Sequence, residues 1–585
     1  MKYFILFKLI YKLGINNIFL LTKYKFLKYI GYYKLRSEIY RCPVIKLDLK
    51  KINNLKNNLY DHKIISFADK ILENKFKLFS YYIYKFDDNY LWNKDPFSKT
   101  SVKNNLHWSK IDFYEKLDIK NIWEMSRWQW LPILAMAWKM SSNKRYIEKI
   151  NTLTENWSLN NPINKGLNWS CGQEVSIRII HLFQGLHILK IYNQIEIDDN
   201  LSQFVLAHLR RIDLTLNYAK SQNNNHIISE SAALYIGGNL LHNKYFAEKG
   251  RRNLEFFINK LVMDDGTFSQ YSVNYHRLVL DTLNQVEIWR RELELKPFNK
   301  KLKNSCEKLI KWLLDFTDPH SGYCPNLGGN DGSYCYQYNV DSYRDFRPTL
   351  NLSSILFNSC ILFNEKKLLN SINFLNPKVL VSFTFKDNIY KNSGIKFFQS
   401  GGFIKIFNKN SWSILRLPVF KYRPVNVDPL HFDLWFKGVN ILRDSGSYSY
   451  NKDFSEMNKF QGIEGHNSVQ FENKESMPRI GRFLWGNWLR LDRLETINSS
   501  EEEIKFVAGY KFKYGTHQRQ IIFKKNNNLW QIIDNISSFK KNATLRWRLN
   551  DSNWKLQGNI LSSKFGTIEI NCTNSNFKLN LEKGY

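Results

Sequence analysis

The spacing of apolar residues changes once along this chain, and the change limits the folds that the chain can adopt. From Asn121 to Phe316, apolar residues recur at the 3.6-residue period of amphipathic helices. Beyond about residue 393 they follow strand patterns between turn signals. A chain of 585 residues is also too long for one ordinary core. We therefore predict an α+β multidomain protein in which an all-α region precedes a β-rich region.

The predicted helical region consists of apolar runs separated by polar turns such as Asp264-Asp265-Gly266. Consecutive helices with short loops favour a layer built from helical hairpins. The runs are Ile122–Met140, Glu174–Leu189, Phe204–Ala219, Ile227–Leu241, Arg251–Val262, Tyr275–Leu293 and Leu302–Phe316.

The C-terminal region is predicted to form a sandwich of stacked sheets. Lys396–Phe407 is predicted to form two strands around a Gly-Gly turn. Further strand patterns are Ser413–Val419, Leu434–Leu442, Gln518–Phe523, Leu529–Ile533 and Thr544–Leu549. The domain limits that we predict are 1–95 for a basic, helical extension, 96–375 for the helical domain and 376–585 for the β-domain.

The N-terminal segment combines apolar and basic side chains. Lys8 and Lys12 interrupt the apolar core that a signal peptide needs, and the run from Leu13 to Thr22 is too short to cross a bilayer. A basic amphipathic segment can lie on an anionic membrane surface, or it can pack on the body of the protein. We favour packing. The sequence by itself thus indicates a cytoplasmic or membrane-peripheral protein.

The net charge indicates a polyanionic partner. Lys and Arg outnumber Asp and Glu by 85 to 53, a net charge of +32, which attracts nucleic acid, anionic membrane or acidic polysaccharide. No compact Lys/Arg block, zinc-finger spacing or RNA-binding signature occurs, so nucleic acid is not expected. The seven cysteines are irregularly spaced and form no C-x-x-C pair, which favours free thiols over a disulfide framework.

A polar site is expected inside the helical region. Glu174 and Arg178 lie one turn apart on an otherwise apolar helix, and buried charges need partners. Asn225 and His226 begin another helix, where an amide and an imidazole can bind a carboxylate. Helix capping explains the same asparagines.

A second polar stretch contains Tyr275 and Arg277. A guanidinium beside a phenol lowers the pKa of the phenol and can make it a general base. A buried tyrosine with a satisfied hydroxyl is the simpler interpretation. Asn330 and Asp331 lie in a glycine-rich loop that either forms a plain polar turn or lines a cleft.

Acidic residues and histidines also recur among the predicted strands. His431 and Asp433 lie in one segment, and Asp444 and His466 lie in two others. Such residues can hold Zn²⁺ where neighbouring strands bring them together. A hydrogen-bonded network in the core explains them equally well.

These stretches occur in the same order as in the heparinase II/III-like polysaccharide lyases, which the chain resembles from Asn121 to Arg519. The N-terminal matches are Trp123-Glu124-Met125-Ser126-Arg127, Asn168-Trp169 with Glu174 and Arg178, Asn225-His226, Asp265-Gly266 with Tyr275-His276, and Asn330-Asp331. The C-terminal matches are Asp444-Ser445-Gly446, His466-Asn467-Ser468 and His517-Gln518-Arg519.

The resemblance implies an (α/α) toroid followed by an antiparallel β-sandwich, with the active cleft between them. It also implies β-elimination on uronic-acid-containing polysaccharides. Asn or His groups neutralise the uronate carboxylate, a Tyr removes the C5 proton, and Tyr or His protonates the leaving oxygen. Carried over by position, the catalytic residues are Asn225, His226 and Tyr275.

The resemblance also suggests the binding residues. The predicted substrate-binding set is Arg178, Glu174, Arg277, Asn330 and Asp331, and the predicted metal ligands are His431, Asp444 and His466. No cofactor is needed for the chemistry itself, and a structural Zn²⁺ or other divalent metal is the candidate ion. The partner is an acidic polysaccharide. The family implies a cell-envelope location.

One departure from the family pattern concerns the catalytic acid. The family often carries H-x-H-x-D, with a catalytic first His and a metal-binding second His. Alignment on Asp433 puts His431 at the second position and Pro429 at the first. We therefore keep three hypotheses: a lyase linked to surface polysaccharide metabolism, a uronate C5-epimerase, and a non-catalytic glycan-binding or assembly protein.

Overall fold

The computed structural model describes residues 9–47, 60–87, 92–102, 106–111, 118–191, 199–365, 368, 370–375, 379–380, 384–385, 393–449, 453–500, 502–573 and 577–582. The described residues form two compact units. The first, the helical unit, lies within residues 1–315, 330–389 and 449–452. The second, the strand unit, lies within residues 316–329, 390–448 and 453–585. The predicted domain limits stay predictions.

Helices dominate the first unit. The N-terminal helices are α1 (Ile15–Tyr29), α2 (Tyr32–Leu35) and α3 (His62–Leu72). The following helices are α4 (Lys120–Ser126), α5 (Trp130–Ser141), α6 (Arg145–Asn160), α7 (Gly172–Leu189), α8 (Asp199–Gln222), α9 (Asn225–Leu240), α10 (Lys244–Leu261), α11 (Val273–Glu292), α12 (Lys300–Phe316) and α13 (Arg347–Asn358). Between α4 and α12, the described part of the chain contains no strand. The predicted all-helical character is confirmed there.

Two details of this region differ from the prediction. The run Ile122–Met140 is not one helix, because the backbone turns at Trp128, whose φ is 63°. The break lets the Arg127 carbonyl accept a hydrogen bond from His181 Nδ1 at 2.7 Å. Helix α6 was not predicted, since its apolar side is interrupted by many polar residues and only about half of its positions are buried.

Helices α7 and α9 form the centre of the unit. Every residue of α7 is buried, and α9 packs against α7, α8, α10 and α11. Both α9 and α11 begin at a side-chain cap: Asn224 Oδ1 accepts the His226 N–H at 3.0 Å, and Ser272 Oγ accepts the Tyr275 N–H at 3.1 Å. Such caps satisfy amides that would lack a partner in the first turn.

The strand unit is built from antiparallel sheets. A five-stranded sheet contains β5 (Gly394–Phe398), β6 (Phe403–Phe407), β7 (Ser411–Arg416), β8 (Phe432–Phe436) and β9 (Val439–Leu442). A four-stranded sheet contains β13 (Leu491–Ser499), β14 (Glu503–Phe512), β15 (Gly515–Lys524) and β16 (Leu529–Ser537). Trp530 of β16 lies 5.9 Å from the Phe432 ring of β8 and donates to Ser411 of β7 at 3.1 Å, so side chains of the two sheets meet.

Shorter elements complete the chain. They are β1 (Lys75–Leu78), β2 (Tyr82–Lys85), β3 (Cys360–Ile361), β4 (Thr384–Phe385), β10 (Val469–Phe471), β11 (Arg479–Gly481), β12 (Leu484–Trp485), β17 (Ala543–Leu545), β18 (Lys555–Gln557), β19 (Ile560–Ser563), β20 (Gly566–Glu569) and α14 (Phe454–Gln461).

The predicted strand Leu434–Leu442 is in fact a hairpin. Lys437 and Gly438 both have positive φ, 44° and 84°, and turn the chain between β8 and β9. A two-residue turn of this kind matches the twist of the strands that it joins.

The expected fold class is confirmed: a helical region precedes a sheet-rich region. Closure of the helices into a toroid stays a prediction. All seven cysteines are free, as expected. The N-terminal helix packs on the helical unit, since Tyr24 of α1 stacks on Tyr218 of α8 at 4.4 Å. Among the described helices, none has the length and apolarity needed to span a bilayer.

Candidate active site and candidate metal centre

A buried ion cluster forms around Arg127. Arg127 Nε and Nη2 donate to both carboxylate oxygens of Glu174, at 2.7 and 2.9 Å. Its Nη1 donates to Glu124 at 2.7 Å, and Asp331 Oδ2 lies 3.9 Å from Nη2. Three acidic side chains thus share one guanidinium. Glu174 therefore pairs with Arg127 rather than with Arg178, the partner that helical spacing suggested.

The cluster contains three acidic groups and one basic group, and both burial and the neighbouring charges shift the pKa values of its members. Burial, opposed by Arg127, raises the pKa of Glu124 to about 7. Although burial disfavours the cation, Glu174 and Glu124 hold the pKa of Arg127 well above its ordinary value. Glu124 Oε1 also accepts the Phe79 N–H at 2.8 Å. The cluster therefore ties four segments of the helical unit together, which contain Phe79, Arg127, Glu174 and Asp331.

Arg178 supports the framework around this cluster. Its side chain is fully buried. It donates to His208 Nε2 and to the Asn168 carbonyl, each at 3.1 Å, and stacks 4.4 Å from the Trp157 ring centre. Burial lowers the pKa of Arg178 to about 9. These contacts hold α7 against the segment that contains Asn168.

The predicted carboxylate-binding residues lie in the first turn of α9. Asn225 is 3% exposed, and His226 is half-buried. The Asn225 N–H donates to Gln270 Oε1 at 2.9 Å. Ser269 Oγ donates to the Asn223 carbonyl at 2.8 Å. The loop that leads into α11 is therefore bonded directly to the start of α9.

The buried carboxyl group of Glu230 lies one helical turn after His226 in α9. Glu230 is 1% exposed, and burial, opposed by Arg211, raises its pKa to about 8. Its Oε2 has no hydrogen-bond partner within the described residues. Gly172 makes room for it, since a Cβ there would lie 2.7 Å from Glu230 Oε1. This acid was not predicted, because no nearby residue in the sequence marks it.

Tyr275 lies in the first turn of α11, just beyond the loop that contacts Asn225. Its side chain is 8% exposed and packs with Ile177, Leu278 and Cys335. The ring is thus held by an apolar cluster. The cap at Ser272 fixes the helix start that carries it.

Arg277 connects α11 to the glycine-rich loop. Its guanidinium donates to Asn274 Oδ1 at 3.1 Å and to the Tyr343 carbonyl. The Tyr343 hydroxyl lies within hydrogen-bonding distance of Asn274 Oδ1 and, at 2.9 Å, of Asn330 Oδ1. Asn330 therefore joins the Arg277 network, and the adjacent Asp331 approaches Arg127. The five predicted substrate-binding residues are distributed over these contacts and the Arg178 framework.

A cavity in the helical unit borders the ion cluster. Its volume is about 460 Å³, and Glu124 and Tyr343 are among its lining residues. Asn225, His226 and Tyr275 do not line it. The predicted catalytic residues therefore lie at a different place in the helical unit.

The candidate metal ligands converge in the strand unit. His431, Asp444 and His466 are buried, and one ligand atom of each lies within 4.8 Å of the others. His466 Nδ1 bonds Asp444 Oδ2 at 2.9 Å, and His431 Nε2 lies 3.9 Å from the same oxygen. Burial favours neutral His466, yet the Asp444 carboxylate outweighs burial and raises the pKa of His466.

The donor set suits a divalent cation. Two imidazoles and a carboxylate are common Zn²⁺ ligands. The Nε2 atoms of His431 and His466 are buried and have no hydrogen-bond partner in the described part of the chain. One contact fits less well, because the Asn467 N–H donates to His431 Nδ1 at 2.9 Å. A ligating histidine normally donates from its second nitrogen, so metal binding requires the His431 ring or this peptide to turn.

A buried arginine supports these segments. Arg519 Nη1 donates to the carbonyls of Leu430 and Asn467, at 2.6 and 2.7 Å. Asp534 accepts from Arg519 Nε at 2.7 Å, and His517 Nε2 lies 2.7 Å from the same oxygen. Burial favours the neutral acid, but Arg519 and His517 hold the pKa of Asp534 below its usual range. The His517-Gln518-Arg519 stretch therefore fixes both flanks of the histidine pair.

Two family models match the chain. The heparinase II/III N-terminus model covers residues 22–349, and the heparinase II/III-like C-terminal model covers residues 391–581. The chain belongs to the heparinase II/III family. The matches cover both described units and confirm the resemblance seen in the motifs.

Individual relatives are distant. A heparin-sulfate lyase of Bacteroides thetaiotaomicron is 22% identical over 430 residues, which are 68% of this chain and 58% of that protein. A crystal structure of heparinase III has a TM-score of 0.60 and 18% identity, with 92% of this chain and 82% of the other covered. A heparinase III with methylated lysines has a TM-score of 0.51 and 17% identity, with 92% and 80% covered. At these identities the structural likeness shows the fold.

The structure adds residues that the predicted site did not include. Glu124 and Arg127 form the ion cluster with Glu174. Both lie in a motif that the sequence shares with the family, and this motif was the signal that could have identified them. Gln270 and Asp534 have no signal in the sequence, because their role depends on which segments meet in space.

Proposed function

We propose that this protein is a polysaccharide lyase that cleaves a uronic-acid-containing acidic polysaccharide by β-elimination. The observation that carries the proposal is the bond between the Asn225 N–H and Gln270, which joins the amide–imidazole helix start to the loop leading into Tyr275. A carboxylate-binding group and a base are both needed for the reaction. Here the two elements that carry them are directly connected in a member of this family.

In the proposed reaction, Asn225 and His226 bind the uronate carboxylate and offset its charge. The C5 proton then becomes more acidic, because the carbanion formed on its removal is stabilised by the neutralised carboxyl group. Tyr275 removes this proton, the C4–O bond breaks, and the leaving oxygen takes a proton from the Tyr275 phenol or from water. The product is a 4,5-unsaturated uronate.

We also propose roles for the remaining residues. Tyrosine has an ordinary pKa of about 10, so its action as a base requires nearby positive charge. Arg277, two residues along α11, and His226 are the proposed sources. Glu174 and Asp331 are proposed to hold the binding surface in place through the Arg127 cluster. Arg178 is proposed to do so through the Asn168 segment, and Asn330 through Tyr343.

The proposed substrate class rests on the net charge of the chain and on the name of a relative. The net charge of +32 favours a polyanion, and a relative is a heparin-sulfate lyase. A glycosaminoglycan or a similar uronate polymer is therefore the first substrate to test, and surface polysaccharide metabolism is the proposed setting.

A uronate C5-epimerase is the second candidate, and Pro429 is the observation that favours it. Pro429 stands where the family often has a catalytic histidine, and its carbonyl accepts a hydrogen bond from Ser468 Oγ. Without a histidine to protonate the leaving oxygen, cleavage slows, and a proton delivered to C5 from the face opposite Tyr275 would give the epimer. Both reactions begin with the same proton removal.

We also propose that His431, Asp444 and His466 hold a structural divalent cation, with Zn²⁺ as the first candidate. A bound cation would supply positive charge that links the three segments carrying these residues. Metal analysis of the purified protein by mass spectrometry tests this idea. Retention of about one equivalent that is lost in His466→Ala supports it, and absence of bound metal after incubation with Zn²⁺ contradicts it.

A screen of acidic polysaccharides tests the main proposal. Each is incubated with the protein, and ultraviolet absorbance of the unsaturated product is followed in water and in deuterium oxide. Unsaturated product supports the lyase. Deuterium at C5 without cleavage supports the epimerase. Glycan binding with neither signal overturns both and favours a non-catalytic glycan-binding or assembly protein.

A further inference from the structure

The outward face of α1 carries an apolar stripe that is exposed to solvent. Ile15, Phe19, Phe26 and Tyr29 are 74, 62, 59 and 85% exposed. Their spacings of four, seven and three residues place them on one side of a helix. Four large apolar side chains in one exposed row form a patch of the kind that marks an interaction site.

This stripe is separate from the side by which α1 joins the fold. Tyr24 stacks on Tyr218 of α8 at 4.4 Å and lies 5.4 Å from the Tyr33 ring. Burial raises the pKa of Tyr24 to about 12. Helix α1 is therefore already anchored through its inner side, and the outer stripe is not needed for that contact.

The charged residues of the segment that carries the stripe have one sign. From Leu9 to Arg36 the chain has six basic residues and no acidic residue, and the first acidic residue is Glu38. The basic residues are Lys12, Lys23, Lys25, Lys28, Lys34 and Arg36. Lys23 and Lys25 are exposed in α1 itself. The face thus combines exposed apolar side chains with exposed lysines.

We propose that α1 binds an anionic lipid bilayer, lying in the plane of the interface with its apolar stripe facing the acyl chains. Interfacial helices have this pattern of large apolar residues beside lysines. Juxtamembrane lysines gain attraction from anionic headgroups. The helix has 15 residues, which is too short to span the bilayer.

Charge complementarity favours lipid over a second copy of the chain. Two α1 helices packed stripe to stripe would bring their lysines together, and like charges across an interface oppose association. A bilayer of anionic lipid instead supplies both an apolar phase and negative charge. This inference is independent of the proposed lyase activity.

Sedimentation of the full-length protein with vesicles tests the proposal. Vesicles of phosphatidylglycerol and phosphatidylcholine are compared with vesicles of phosphatidylcholine alone. We expect at least about tenfold tighter binding to the anionic vesicles and weaker binding as salt is raised. Equal binding to both kinds of vesicle overturns the role of charge, and no binding to either overturns the proposal.

Two matched pairs of variants identify the surface. Phe19→Ser with Phe26→Ser should weaken vesicle binding by about tenfold or more, whereas Phe256→Ser, which changes a 60% exposed phenylalanine of α10, should leave it unchanged. Lys23→Glu with Lys25→Glu should likewise weaken binding. Lys300→Glu with Lys301→Glu, an exposed pair at the start of α12, is the charge control.

Light scattering without lipid measures the oligomeric state and can reveal the outcome that contradicts the proposal. If the native protein is a dimer that the Phe19 and Phe26 substitutions make monomeric, and vesicles are not bound, the stripe is an interface between copies and the lipid proposal is wrong. Unchanged circular dichroism and melting temperature in the variants show that folding is intact. These readouts do not depend on any enzymatic activity.

Discussion

At the scale of single residues, the helical unit is organised by buried charges whose partners come from distant parts of the chain. Arg127 bonds Glu174 from a different helix, and it also approaches Asp331 from a loop. Burying any of these groups alone would be costly, because an isolated charge loses its hydration. Each of these charges therefore stabilises the fold only when its partners are present.

Loss of Arg127 should be strongly destabilising. Arg127→Met leaves Glu124 and Glu174 buried without their cation, and breaking a buried pair typically costs about 3–5 kcal/mol. Urea unfolding would measure the change. The control is Lys63→Met, which removes a 3.0 Å ion pair with Asp341 whose lysine is 67% exposed. An exposed pair contributes about 0–1 kcal/mol, so equal losses in the two variants would contradict the prediction.

Glu230 should make stability depend on pH. The pKa of this buried acid rises to about 8, above its usual value near 4.3. The folded state therefore binds a proton that the unfolded state releases, and the stabilising effect of that proton is lost as pH rises from about 4 to 8. Glu230→Gln, which stays neutral, should become increasingly more stable than the native protein across this range. Melting temperatures at several pH values would measure it, and a constant difference would argue against a raised pKa.

Tyr275 should be essential if the proposed lyase reaction is correct. Tyr275→Phe removes the proposed base while preserving the ring that packs with Ile177 and Leu278. Loss of a general base typically slows turnover by about 10²–10⁴-fold. Product formation on the polysaccharide found in the screen would be compared with Tyr81→Phe, which changes a 78% exposed tyrosine. Unchanged turnover in Tyr275→Phe would assign the base to another residue.

At the scale of elements, helices approach each other closely where glycine replaces a side chain. At Gly250 of α10, an added Cβ would lie 2.4 Å from the Tyr235 backbone nitrogen and 2.7 Å from the Ser231 carbonyl oxygen of α9. Both neighbours are backbone atoms, which cannot swing away. The absence of a side chain at Gly250 therefore sets the distance between these two helices.

Gly250→Ala should lower the melting temperature although alanine is the better helix former. Alanine would gain about 1 kcal/mol in helix propensity, but overpacking against α9 costs typically 1–3 kcal/mol. Gly481→Ala provides a control, because the nearest atom to its added Cβ is 3.9 Å away. A stabilised Gly250→Ala protein would show that the helices move apart freely.

At the scale of the whole molecule, the chain consists of a helical unit and a strand unit and carries a large net positive charge. The family models extend over both units, from residue 22 to 349 and from 391 to 581. Each unit carries its own set of candidate functional residues. The charge of +32 is a property of the entire chain and acts over longer distances than any single contact.

Binding of an acidic polysaccharide should weaken steeply with salt. The screening length is about 10 Å at 0.1 M salt and about 3 Å at 1 M, so long-range attraction is lost over this range. Isothermal titration of a uronate polymer at several NaCl concentrations would measure the effect, with a neutral polysaccharide as the control. An affinity that is independent of salt would show that the net charge plays no part in recognition.

The sequence alone determined the order and type of the main elements, because apolar periodicity is a local property of the chain. Seven helical runs and the β5–β6 hairpin were predicted, although Trp128 divides one of the runs and α6 was not predicted. The motifs also indicated the family. Within the candidate site, the caps at Asn224 and Ser272 explain locally why α9 and α11 begin where they do.

Only the tertiary structure decided which polar groups are partners. Glu174 lies one turn from Arg178 in the helix, yet it bonds Arg127, while Arg178 bonds His208 and the Asn168 carbonyl. Helical spacing brings two side chains to the same face but does not determine which other segments pack there. The pairing of a buried charge is set by the segments that enclose it, and those segments come together only when the whole unit folds.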